Sequence, residues 1–147
     1  MQTGGRRHRA RPSGSSNSAA PGRAGRPRIT LRRAYDPPAP GDGPRVLVDR
    51  VWPRGMSRER LKIAAWLRDL APSAALRTWF GHDPAKWDAF RRRYRRELAA
   101  QGRLLRELAA HARGGKLTLV FGARDPVHNQ AAVIKEVLEE RARRRLR

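Results

Sequence analysis

Apolar positions recur along this chain in two periods, and the switches between them predict where its elements lie. Ile29-Thr-Leu-Arg-Arg-Ala-Tyr35 alternates apolar and polar residues, the period of a strand with one buried face. Val46-Leu-Val48 is continuously apolar and β-branched, the pattern of a strand buried on both sides of a parallel sheet. The nine residues between them, Asp36 to Pro44, are turn formers. That is short for a parallel crossover, so the relative direction of these two strands is left open.

Helical spacing follows. Ser57 is placed to cap a short helix, and Leu61, Ala64, Ala65 and Leu67 continue its pattern for a turn or two before Pro72. Ser73 caps a second helix through Phe80, closed by Gly81. The longest helix is predicted from Pro84 to Ala112. Its inner face is Trp87, Phe90, Tyr94, Leu98, Leu105, Leu108 and Ala112. Gly102 interrupts it, which implies a kink or the close approach of another element. Arg91, Arg92, Arg95, Arg103 and Arg106 fall outside that face and read as solvated. Leu117-Thr-Leu-Val-Phe121 is a second buried strand after Gly114-Gly115. Asp125 and Pro126 predict the cap and first position of a last helix with Gln130, Val133, Ile134, Val137 and Leu138 as its stripe.

Composition sets the limits. A chain of 147 residues suits one domain with a modest core. It has no cysteine, which excludes disulfides, thiolate metal sites and a cysteine nucleophile. His8, His82, His111 and His128 lack metal-ligand spacing, so no metal site is expected. No apolar run approaches the roughly 20 residues of a membrane span, so the expectation is a soluble, cytoplasmic protein.

The net charge of +21 is unevenly spread. Residues 1–28 carry seven arginines and no acid, and residues 141–147 carry five arginines and no acid. The body, residues 29–140, is therefore only +9. The first segment has no aliphatic residue beyond Met1 and is expected to be a disordered basic tail. The last is expected to fray as a basic end, with cations favoured at the helix C-terminus. Arginine far outnumbers lysine and alanine is abundant, a bias that suits a GC-rich coding sequence as well as polyanion binding.

Chemistry concentrates where the two buried strands end. Val48 runs into Asp49, Arg50, Trp52, Pro53, Arg54 and Gly55. Pro53 restricts its own φ and the conformation of Trp52, and Gly55 is free to take angles closed to other residues. Phe121 runs into Gly122, Arg124, Asp125 and Asn129. If the strands are parallel neighbours, both loops share the sheet edge at which α/β proteins bind ligands. Arg50, Arg54 and Arg124 are planar, permanently charged donors suited to phosphate or carboxylate. A helix opening after the second loop favours an anion. Asp49 is the candidate base, or else an ion-pair partner of Arg50 or Arg54. Trp52 fits a core plug better than a stacking platform. No nucleotide, serine-hydrolase or zinc-protease motif is present.

Arg33-Ala-Tyr-Asp-Pro37, Val46 to Gly55, Leu76-Arg-Thr-Trp-Phe80 with His82, Trp87 to Leu98 and Leu119 to Ala131 occur in an order that resembles the domain of unknown function 488 family, YeaO-like branch. The resemblance covers about residues 29–140. It implies an α/β domain with a small Rossmann-like open sheet, mostly parallel and flanked by helices, and brings no established activity. A related branch carries cysteines and a Cys-His-Arg run where this chain has Phe121, Asn129, Gln130 and Ala131, so thiol chemistry there is impossible here. Asp49, Arg50, Trp52, Arg54 and Gly55 match the family pattern.

The expectation is thus a domain that holds a small anionic, phosphate- or nucleotide-like ligand at the Asp49–Gly55 and Gly122–Asn129 loops, with turnover left open. The ligand-binding residues are Arg50, Trp52, Arg54, Gly55, Gly122, Arg124 and Asn129, and Asp49 is the candidate catalytic residue. The cofactor is left open. The alternative is a non-specific nucleic-acid-binding module using the basic tails and the long-helix arginines.

Overall fold

The computed structural model describes residues 26–146, and most of the expected disordered tail lies outside them. Four parallel strands form one sheet: β1 (Arg28–Arg33), β2 (Arg45–Leu47), β3 (Ala65–Trp66) and β4 (Lys116–Phe121), in spatial order β1-β4-β2-β3. The expected α/β class holds, and the sheet is parallel throughout. The open question of direction is also answered: β1 and β2 are parallel but not neighbours, because β4 lies between them. β2 and β4 pair with Val46 opposite Leu119 and Leu47 opposite Val120, and Val48 N–H extends the ladder to Val120 O at 3.0 Å.

The connection from β1 to β2 manages without a helix because Asp42 pins it. Its buried carboxylate accepts from Ala39 N–H at 3.0 Å and Arg45 Nη1 at 2.8 Å, and pairs with Arg32 at 3.2 Å. Burial alone pushes this carboxyl up, but the Ala39 amide and the two arginines outweigh it and hold it below its usual range.

Strand alternation divides the core. Val46, Val48, Leu117, Leu119 and Phe121 face one side, with Leu76, Phe80, Phe90, Tyr94, Leu105 and Ile134 packed there. Leu47 and Val120 face the other, under Leu61, Trp52, Met56 and Trp66. Both faces being covered is why Val46, Leu47 and Val48 are all fully buried.

The helices depart from the sequence pattern at three places. Helix α1 (Arg58–Leu61) is capped by Ser57 as expected but ends at Lys62, which takes the left-handed conformation (φ 52°). The following Ala65 and Trp66 pair with β2 rather than continuing a helix, since short apolar runs serve either element. Helix α2 (Ala74–Phe80) matches its expected caps, Ser73 and Gly81. The long helix is two: α3 (Trp87–Ala99) and α4 (Gly102–His111), preceded by a 3-10 turn at Pro84–Lys86. The break falls at Gln101, whose φ of −111° and ψ of 39° are not helical. The last helix, α5 (Gln130–Arg145), starts later and ends later than the sequence suggests. Asp125 spends its carboxylate on Val127 N–H and His128 N–H, so the cap is Asn129, accepting from Ala132 N–H at 3.0 Å. Arg141 to Arg145 stay helical with Ala142 buried, and β1 begins at Arg28, so the ordered unit is wider than residues 29–140.

Arg91 and Arg95 are not simply solvated. Arg91 Nε meets Glu136 at 2.7 Å, while Arg95 meets Glu136 at 3.2 Å and Glu140 at 2.6 Å, so α3 is clasped to α5.

Candidate functional site

Because β2 and β4 are adjacent and parallel, the loops that follow them emerge at one edge of the sheet. They meet directly. Asp49 Oδ2 accepts from Gly122 N–H at 2.8 Å, and Asp49 Oδ1 accepts from the Gln130 side-chain amide in the first turn of α5. The carboxylate thus ties the first loop to the second and to the helix behind it.

Burial of Asp49 pushes its carboxyl up to about 6, only partly opposed by the Gly122 and Gln130 hydrogen bonds. Neither Arg50 nor Arg54 forms an ion pair with it among the described residues. Arg50 instead donates to Ala71 O at 3.3 Å and Pro72 O at 3.4 Å, and lies 3.7 Å from Asp69. It therefore joins the first loop to the start of α2. Glu97 holds that same start from α3, accepting from Ser73 N–H at 2.9 Å and Ser73 Oγ at 2.6 Å.

Two indoles stiffen the first loop. Trp66 Nε1 donates to Asp49 O at 2.7 Å, and Trp52 Nε1 donates to Met56 O at 2.6 Å. The rings meet edge to face at 5.4 Å. Trp52 packs on the smaller core and its edge reaches the site, while Gly55 takes φ 79° at the turn. Rigidity here comes from tryptophan donors on both sides of the loop as much as from Pro53.

Between the loops and α2 lies a cavity of roughly 620 Å³, within the usual range for small-molecule sites. Asp49, Arg50, Trp52, Arg54, Gly122 and Asn129 line it. Gly55 and Arg124 do not: Gly55 shapes the turn behind Arg54, and Arg124 is exposed within the second loop but away from the cavity. Asn129 reaches the wall, but its side chain is committed to capping α5 and to Asp125 O at 2.9 Å.

Three lining residues escaped the sequence reading as ligand groups. Arg77 is exposed on α2 and has no side-chain partner among the described residues, as is true of Arg54. His82 follows Gly81 with φ 57°, a conformation that non-glycine residues rarely adopt. His128 Nδ1 lies 2.8 Å from Asp125 Oδ2, and its ring meets Trp87 edge to face at 5.2 Å. The backbone and side-chain hydrogen bonds of His128, with the Val127 amide, hold the Asp125 carboxyl at about 2. In sequence His82 and His128 stand near the candidate loops and read as surface or supporting residues. Arg77 lies within the Leu76–Phe80 family motif, but nothing local shows that α2 forms a wall. Phe80, Phe90, Ala71 and Pro72 make the apolar part of the surface.

Among the described residues no group of three or more metal-ligating side chains is gathered, and no helix is long and apolar enough to cross a membrane.

A family model described as "Inactive DUF488-N3 subclade" matches residues 28–146. An uncharacterised protein of Mycobacterium tuberculosis strain H37Rv is 37% identical over 116 residues, covering 78% of this chain and 96% of that protein. The uncharacterised protein YeaO of Escherichia coli K12 is 36% identical over 110 residues, covering 75% of this chain and 96% of its own length. No solved structure matches.

Proposed function

The chain belongs to the DUF488 family, and from that premise we propose that it binds a small anionic ligand, phosphate- or nucleotide-like, in the cavity between the two strand-end loops, without turning it over. The observation that carries this reading is the pairing of an apolar wall with two guanidiniums, Arg54 and Arg77, that have no side-chain partner among the described residues, at the sheet edge where α/β domains receive ligands. Guanidinium donors suit the oxygens of a phosphate or carboxylate, and the exposed lining residues Tyr35 and Val51 suit an apolar or planar body attached to it.

Binding without chemistry is supported by what lines the cavity. Among the described residues its lining has no serine, threonine, cysteine or lysine, which leaves Tyr35, His82 and His128 as its only other candidate nucleophiles beside Asp49. Asp49 has a carboxyl raised to about 6, as a base would need, yet both of its oxygens are already occupied by Gly122 and Gln130. It serves as a brace. The subclade's own description as inactive agrees with that assignment.

The test is a thermal-shift titration with orthophosphate, pyrophosphate and a nucleoside monophosphate. A saturable rise is expected, equivalent to about 2.7 kcal/mol at a hundred times Kd. Arg54→Ala and Arg77→Ala should each weaken it strongly and leave the unliganded melting temperature nearly unchanged. A shift indifferent to both substitutions, or none with any of the three, contradicts the reading.

A further inference from the structure

A second basic hollow lies away from the strand-end cavity, between α4 and the end of α5. It measures roughly 610 Å³ and is walled by Arg106, Arg113, Arg141, Arg144 and Arg145. The arginines come from two helices and the turn between α4 and β4. Arg106 lies on α4 and Arg113 two residues past its end, while Arg141, Arg144 and Arg145, at i, i+3 and i+4, share one face of α5. The lining residues between Arg106 and Arg113 are Ala109 and Ala110, small enough to let an incoming group reach the floor.

Cations at helix C-termini need no ligand to explain them, because they complement the macrodipole. Here the charge exceeds that need. Each of the two helix ends supplies only about half a negative charge. Glu140 takes part of Arg144, at 3.6 Å, and is otherwise bound to Arg95. Arg106, Arg113, Arg141 and Arg145 have no carboxylate partner among the described residues. Most of the positive charge in the hollow is therefore uncompensated. By contrast, Arg91 and Arg95 on α3 are committed to Glu136 and Glu140. Of the long-helix arginines, Arg91 and Arg95 thus hold the fold, while Arg106 faces the open groove.

We propose that this α4–α5 groove binds the phosphate backbone of a nucleic acid without reading its bases. Five guanidiniums drawn from two helices and a turn suit the successive charges of a phosphodiester run better than a single free phosphate. Among the described residues no aromatic side chain lines the groove for bases to stack on. Nor, among them, does a large apolar side chain line it, which disfavours a lipid surface. The proposal does not depend on the strand-end cavity.

Fluorescence anisotropy of the full chain with a labelled mixed-sequence oligonucleotide, titrated with salt, tests this. One variant combines Arg106→Gln, Arg113→Gln and Arg145→Gln, all exposed positions. A charge-matched control combines Arg58→Gln, Arg60→Gln and Arg92→Gln, also exposed and without ion-pair partners among the described residues. The groove variant should lose about tenfold or more in affinity, and its slope of log K against log salt should shrink by roughly 2–3. The control should stay close to the parent. Equal losses in both variants overturn the groove in favour of bulk charge, and absence of binding by the parent chain overturns it outright. Anionic phospholipid vesicles bound with the same arginine dependence, while the oligonucleotide is not, reassign the groove to a membrane and likewise overturn the proposal.

Discussion

Asp49 and Gly122, 73 residues apart in sequence, touch so closely that glycine is required at 122: the 2.8 Å hydrogen bond from its N–H to Asp49 Oδ2 leaves no room for a side chain. A Cβ at 122 would itself lie 2.8 Å from that oxygen. The Asp49 carboxylate cannot retreat cheaply, because Gln130 holds its other oxygen and Trp66 holds its backbone. The two loops of the cavity are thus joined at a point that one methyl group disrupts.

Gly122→Ala should therefore destabilise the chain by about 1–3 kcal/mol, the range for losing a buried hydrogen bond and leaving its partner unpaired. Asp49→Ala removes the obstructing oxygen, so the double variant should cost less than the two single costs added together. Urea denaturation of the four proteins measures the coupling, and strict additivity would show that the residues do not interact as described.

The raised carboxyl of Asp49 makes a signed prediction for pH. It titrates near 6 in the folded chain and near 3.8 when unfolded, so between those values the folded state holds the extra proton. Stability should then fall as pH rises from about 4 to about 6, by up to about 3 kcal/mol, and level off above. Asn at 49 keeps an acceptor for Gly122 N–H but does not ionise. Asp49→Asn should flatten this slope and melt higher than the parent at neutral pH. Parallel melting curves for the two proteins across that window would rule the effect out.

Tyr94 is fully buried and its hydroxyl donates to Leu70 O at 2.5 Å, holding the turn before α2 against α3. Tyr94→Phe leaves that carbonyl unpaired in the core. A loss of about 1–3 kcal/mol in chemical denaturation is expected, with little change in the slope against denaturant. A neutral result would mean that another donor replaces the hydroxyl.

The clasp between α3 and α5 should behave differently. Glu136 receives both Arg91 and Arg95, but all three side chains are about a quarter to two-fifths exposed. Glu136→Gln is expected to cost below about 1 kcal/mol, and the cost should shrink as salt is raised. A large loss indifferent to salt would place this clasp among the buried interactions instead.

Much of this was legible before any coordinates. The buried runs at Val46–Val48 and Leu117–Phe121, the caps Ser57, Ser73 and Gly81, and the inner face from Trp87 to Ala112 all follow from local chemistry and period. Membership of the DUF488 family rests on motifs that span the same segments. The meeting of the Asp49–Gly55 and Gly122–Asn129 loops at one edge was stated only on the condition that their strands are parallel neighbours.

Three things lay beyond local pattern. Ala65–Trp66 is a strand only because β2 offers it a free edge, since apolar runs of that length suit either element. Asp125 looked like a helix cap, but His128 and Val127 claim its carboxylate and move the helix start to Gln130. Arg50, Arg54, Arg91 and Arg95 look alike in sequence, yet Arg50 ends on backbone carbonyls, Arg91 and Arg95 on glutamates, and Arg54 at the cavity. By itself the sequence determined β1, β2, β4, the caps of α1 and α2 and the buried face from Trp87 to Ala112, because capping, turn chemistry and hydrophobic period act over a few residues. Only the tertiary structure decided the partner of each charge, because an arginine's neighbours are set by which distant segments the sheet order brings beside it.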